Sequence, residues 1–179
     1  MSGINTGWRF KTRPGLDYLL SNVGPPLYEV VLFTHEDGAN LYSIVDGIDP
    51  KGVLSYRLFR DSTNYINGTH VKDLSCLNRD LSKTIIVDCD PYAVQLQPQN
   101  ALCLPSWKGK NDDKLYHLSN FLKAVATSGV EDVRDVLNHY SRYDDPLKAF
   151  TEKQKSINKQ ASTKEQPKPS LVKKLNRYK

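Results

Sequence analysis

The sequence predicts an α/β fold, a parallel sheet with helices packed on both faces. Two short apolar runs, Tyr28-Glu29-Val30-Val31-Leu32-Phe33 and Thr84-Ile85-Ile86-Val87, are rich in β-branched residues and nearly continuous rather than alternating. That is the pattern of strands covered on both sides. Each run stops abruptly on polar groups, Thr34-His35-Glu36 after the first and Asp88-Cys89-Asp90 after the second. The second half of the chain carries helical rather than strand periodicity.

The elements follow in order. After the first strand, residues 38–45 predict a helix, stopped by Gly47 and Asp49-Pro50. Tyr56-Arg57-Leu58-Phe59 is a further apolar stretch, and beyond it Asn67-Gly68 supplies the positive-φ chemistry of a tight turn, so residues 63–72 predict a hairpin. Asn67-Gly68-Thr69 also matches an N-glycosylation sequon, but the turn explains the same residues without secretion. Past the second strand, Asp112-Asp113 cap a helix with Leu115, Leu118, Leu122 and Val125 on one face. Ser128-Gly129-Val130-Glu131 reads as a capping box for another helix, with Val130, Val133, Leu137 and Tyr140 at core spacing. Asp145-Pro146 is expected to close that helix.

Charge divides the chain. From Thr151 onward nine Lys/Arg stand against two Glu, whereas the preceding residues carry sixteen Lys/Arg and eighteen Asp/Glu. The net +5 therefore belongs to the end of the chain, and the remainder is mildly acidic. The expected organisation is one domain over residues 1–150 and a basic, disordered or weakly helical tail over 151–179. A basic tail on an acidic domain does not describe a nucleic-acid binder. No apolar run reaches the ~18–20 residues of a membrane span, and Met1-Ser2-Gly3-Ile4-Asn5 shows no targeting segment. Cys76, Cys89 and Cys103 fit no zinc spacing, and His35, His70, His117 and His139 are scattered, so no metal or cofactor is expected.

Chemistry in open α/β sheets gathers beyond the carboxyl ends of the strands. Thr34 and Asp88 sit at two such ends, and Lys72 closes the hairpin. A hydroxyl, an ammonium and a carboxylate are the supporting groups of phosphoryl transfer, holding phosphate oxygens and placing Mg²⁺. A carboxylate nucleophile on its own strand end is not supplied. Asp88-Cys89-Asp90-Pro91-Tyr92 has the D-x-D form, but it follows Thr34 and Lys72 in the chain instead of preceding them.

Longer segments add specificity. Gly7-Trp8-Arg9, Arg13-Pro14-Gly15, Val30-Val31-Leu32-Phe33-Thr34, Tyr56-Arg57-Leu58-Phe59-Arg60-Asp61 and Val71-Lys72-Asp73-Leu74 run in order. Asn78-Arg79-Asp80-Leu81, Ile85-Ile86-Val87-Asp88, Pro98-Gln99-Asn100-Ala101 and Ser106-Trp107 follow. From Gly7 to Phe150 this resembles the FCP/NLI-interacting-factor-like phosphatase domain of the haloacid-dehalogenase superfamily. Asn78-Arg79-Asp80-Leu81, Trp107-Lys108-Gly109 and Val133-Arg134-Asp135-Val136-Leu137 resemble most the branch found in receptor subunits of the mitochondrial inner-membrane presequence translocase.

The resemblance implies a Rossmann-like haloacid-dehalogenase-type sheet. Thr34, Lys72 and Asp88 take the family's second-, third- and fourth-motif positions, and the family's first strand, with its D-x-D acids, finds no match in this chain. Phosphatases of the family follow the fourth-motif acid with Asn or Asp, whereas this chain has Cys89, a poor ligand for hard Mg²⁺. The expected protein is thus a non-catalytic member with a vestigial site of Thr34, Lys72, Asp88 and Cys89. The branch implies that it binds the translocase's channel-forming subunit and basic presequences, at the inner membrane on its intermembrane-space side, with membrane association through partners or an upstream segment. Trp8, Arg9, Lys11 and Arg13, with hot-spot composition, are the expected partner edge. Glu36, Asp37 and Asp46 are the acidic candidates for presequences. The alternative is an active Mg-dependent Ser/Thr phosphatase of the small C-terminal-domain phosphatase type.

Overall fold

A computed structural model describes residues 10–164. It begins with a helix that the sequence reading passed over, α1 (Leu16–Val23). Gly15 precedes it at φ 85°, and a Cβ there would sit 2.9 Å from the Tyr116 ring. Only glycine offers both the left-handed backbone and the clearance. Leu20 and Val23 are buried, and α1 lies against the helix that contains Tyr116.

The first apolar run forms β1 (Val30–Phe33), the predicted helix extends to α2 (Gly38–Ile48), and the next strand is β2 (Leu54–Leu58). β1 and β2 pair in parallel, joined by the α2 crossover. The predicted hairpin is β3 (Asn64–Ile66) with β4 (Thr69–Val71), antiparallel, and its two turn residues Asn67 (φ 48°) and Gly68 (φ 83°) both have positive φ. That is the two-residue turn whose twist suits adjacent antiparallel strands. The second apolar run contributes β5 (Ile86–Asp88), which pairs in parallel with β6 (Ala101–Cys103), a strand the sequence reading passed over.

The fold is α/β with parallel pairing, but the strands stand in separate ladders. β1–β2 and β5–β6 are independent parallel pairs, and β3–β4 is a third, antiparallel one. β1 is half-buried along its whole length, not enclosed, and Val87 on β5 is 37% exposed.

The main core lies among the helices. It is built by α3 (Lys114–Thr127), α4 (Val133–Tyr140) and α5 (Pro146–Lys164), with α1 against α3. Phe121 and Leu147 are fully buried, and the Phe121 ring meets Tyr140 and Phe150 edge-on at 5.6 and 5.2 Å. Tyr28, Val30 and Ile85 join this core to the strands. A smaller, separate cluster is formed by Leu74, Ile86 and Val94.

Two sequence expectations are corrected. The capping box at Ser128–Glu131 does not form: Ser128 ends α3, Gly129 turns away at φ 68°, and Asp132 caps α4 by accepting from Arg134 N–H at 2.9 Å. Val130 is accordingly only half-buried. Asp145-Pro146 opens α5 instead of closing α4, with Asp145 accepting from Ala149 N–H at 3.0 Å and from Lys148 N–H at 3.2 Å. Proline is favoured in the first helical turn, where its missing N–H would be unsatisfied anyway. α5 continues past position 150, from its anchors Leu147 and Phe150 through Lys164. Lys, Glu, Gln and Ala in that stretch lose little freedom in a helix, so an anchored first turn suffices to propagate it.

Candidate functional site

The sequence trio is half assembled. Val71 is completely buried, which fixes the end of β4 and delivers Lys72 inward. Lys72 N–H donates to the Ala93 carbonyl at 2.7 Å, and its ammonium pairs with Asp88 Oδ2 at the end of β5. Both side chains are nearly enclosed, 10% and 9% exposed. Asp88 Oδ1 accepts from the N–H groups of Cys89 at 2.7 Å and Asp90 at 2.9 Å. Burial opposes the charge on Asp88, but the Lys72 hydrogen bond and these two backbone donors outweigh it, and its carboxyl is held below the ordinary aspartate range.

Thr34 belongs to the other ladder. Its N–H extends β1 by donating to Leu58 carbonyl at 2.9 Å, and its hydroxyl accepts from Glu36 N–H at 3.1 Å. Among the described residues it makes no hydrogen bond to Lys72 or Asp88. Cys89 is exposed beside the pair. The arrangement is an ion pair closed upon itself, with both carboxylate oxygens occupied. Among the described residues no group of three or more His, Cys, Asp or Glu side chains is placed to hold a metal ion.

The expected partner edge is split. Trp8 and Arg9 lie outside the described residues. Lys11 donates to Gly109 carbonyl at 2.7 Å and its ammonium stands 5.7 Å over the Trp107 ring. Arg13 forks both oxygens of Asp112 at 3.0–3.1 Å and is only 15% exposed. It acts as a clasp between the chain start and the approach to α3, and Asp112 is held below the usual carboxylate range chiefly by it.

The acidic candidates are on the surface but compensated. Glu36 faces His35 at 3.5 Å and Arg60 at 3.8 Å, Asp37 caps α2 by accepting from Ala39 N–H at 2.8 Å, and Asp46 pairs with Arg57 at 2.6 Å.

Several motif residues prove architectural. Arg79 pairs with both oxygens of Glu29 at 2.8 and 3.0 Å, tying the Asn78-Arg79-Asp80-Leu81 loop to the entry of β1. Asn100, 2% exposed, donates to Leu81 and Thr84 carbonyls at 2.6 and 2.8 Å. One residue at the site escaped the sequence reading: Cys103, which β6 places opposite Asp88. The short apolar run Ala101-Leu102-Cys103-Leu104 was its signal.

A parallel α/β scaffold with a lysine–aspartate pair at its strand ends is the frame of a phosphatase-like domain. The chain belongs to the NLI interacting factor-like phosphatase family, whose model matches residues 1–134. Among its relatives, the mitochondrial import inner membrane translocase subunit TIM50 of Danio rerio is 55% identical over 155 residues, covering 86% of this chain and 40% of that protein. The Homo sapiens protein of the same name is 52% identical over 155 residues, covering 86% of this chain and 44% of its own. The chain thus spans less than half the length of these relatives. A solved structure of Fcp1, an essential RNA polymerase II CTD phosphatase, is similar at 20% identity with a TM-score of 0.47, over 76% of this chain and 40% of that one.

Proposed function

We propose that this chain is a non-catalytic, protein-binding part of the mitochondrial inner-membrane presequence translocase. In this reading it receives presequence-bearing preproteins on the intermembrane-space side and passes them to the channel-forming subunit. The sequence identity to subunits named for that translocase supports the assembly. The observation that carries the non-catalytic half is the Lys72–Asp88 pair, whose charges are spent on each other and on the Cys89 and Asp90 N–H groups. Phosphate or Mg²⁺ would have to enter this nearly enclosed pair to reach either group. The residue after Asp88, Cys89, offers sulfur where hard Mg²⁺ favours oxygen.

For the partner contact, Lys11 and Arg13 are the described members of the proposed edge of Trp8, Arg9, Lys11 and Arg13. Arg13 supports that edge through Asp112. Presequences are basic, and Glu36, Asp37 and Asp46 remain the proposed acidic contacts. Arg57 and Arg60 already offset two of them, so a bound presequence would displace these arginines or add to them. The test is crosslinking of the purified chain to the channel subunit. Charge reversal at Arg9 and Lys11 is expected to weaken the crosslink at unchanged circular dichroism. Undiminished crosslinking would place the contact elsewhere.

A further inference from the structure

The β5–β6 register sets Cys103 opposite Asp88, and Leu104 N–H donates to the Asp88 carbonyl at 2.7 Å. Cys89 is the next residue along. Paired strands stand ~4.8 Å apart and consecutive Cα atoms ~3.8 Å apart, so a bend at Cys89 can bring its Cα to within the ~4.4–6.8 Å range of disulfides from that of Cys103. In an unbroken strand the two side chains would point to opposite faces. β5 stops at Asp88, however, and the chain bends at Cys89, so the pleat no longer sets the direction of that side chain. Both thiols are exposed and free. Cys103 is also near enough to feel its neighbours: burial first, then the charges of Asp88, Asp90 and Cys89, push its thiol up.

We propose that Cys89 and Cys103 are a redox pair that closes to an intramolecular disulfide across the ends of β5 and β6, beside the Lys72–Asp88 pair. The oxidant is a low-molecular-weight disulfide. The Cys89 thiolate attacks one of its sulfurs, that S–S bond breaks, and one small thiolate leaves. The Cys103 thiolate then attacks the Cys89 sulfur and expels the second. The two protein thiol protons end on the two released thiolates, so the chain loses two electrons and the oxidant gains them. The closed loop contains Ala93, whose carbonyl holds Lys72 N–H, so oxidation staples the segment that positions the lysine. Because the thiol of Cys103 is pushed up, closure quickens as pH rises through and above the ordinary thiol range.

The full chain is equilibrated with reduced and oxidised glutathione over a series of ratios, acid-quenched, alkylated and digested with trypsin. No Lys or Arg lies between Lys83 and Lys108, so both cysteines fall in one peptide, while Cys76 falls in another and serves as internal control. The expected product is that peptide two hydrogens lighter and unalkylated, formed at a glutathione ratio at least about tenfold more reducing than the urea-unfolded chain requires. In Cys103→Ser, glutathione is expected to remain on Cys89. Alkyl groups or separate glutathiones on both cysteines of the native chain, or no advantage of the native over the unfolded chain, would overturn the proposal.

Discussion

Lys72 and Asp88 tie the residue after β4 to the end of β5 through a nearly enclosed ion pair. Each is nearly enclosed, so removing one strands the other. Asp88→Asn is expected to cost about 3 kcal/mol, as an unpaired buried ammonium does, whereas the double change Lys72→Met with Asp88→Asn, which keeps an oxygen for the Cys89 and Asp90 N–H groups, recovers most of that loss. Urea melts of the single and double variants check it, and equal losses would show that the pair carries no mutual dependence. Acid sensitivity follows from the same physics. Asp88 is held below its ordinary value, and Asp132 is lowered to about 2, chiefly by the Arg134 side chain it pairs with. A depressed carboxyl contributes stability above its unfolded value of ~3.9. That contribution is lost as pH falls toward the folded value, because the unfolded state takes up protons first. Stability is therefore expected to be flat in these two groups from pH 7 to about 5 and to fall below about 4. Asp132→Asn should flatten part of the acid limb in a pH series of thermal melts.

At the scale of elements, the sequence was legible wherever one signal dominated. Asn67-Gly68 dictated its hairpin, the apolar runs dictated β1 and β5, and the Leu115–Leu118–Leu122–Val125 stripe dictated α3. It misled where two local signals competed. Asp145-Pro146 serves a helix end or a helix start equally well, and only the burial of Leu147 and Phe150 beyond it decides for the start. Ser128 and Asp132 are both plausible caps, and Gly129 at positive φ hands the role to Asp132. α1 was legible but passed over: Leu16, Leu19, Leu20 and Val23 recur at i, i+3, i+4 and i+7, and only its start is tertiary, at Gly15, whose open face is filled by Tyr116 from α3. Gly15→Ala should therefore destabilise by about 1–2 kcal/mol, combining a left-handed backbone with a clash. A thermal melt with no loss would contradict this account of α1. Of the candidate site, Lys72 and Asp88 were readable as strand-end residues. Their mutual pairing was not, because it depends on where β4 and β5 end in space, and neither was Cys103, because β6 is only a three-residue strand.

For the whole molecule, the divided sheet is the consequential feature. β1 and β5 each have one hydrogen-bonded edge and one that pairs with no other described strand. Amides on those free edges are expected to exchange at least about a hundredfold faster than the amides of α3 around Phe121, whose core is closed by α4 and α5. Uniform protection of Val30–Phe33 and Ile86–Asp88 at the α3 level would mean that the ladders close in solution. The proposal that this phosphatase-like frame binds proteins without hydrolysing phosphoesters rests on the pairing of Lys72 with Asp88 and on Cys89, which stands where an oxygen ligand would be useful. Its most direct test is turnover of a small phosphoester by the purified chain with Mg²⁺ across about pH 5–7, with Asp88→Asn and Lys72→Ala as companions. The account predicts the same background rate for all three, and turnover by the unaltered chain that disappears in both variants would contradict it.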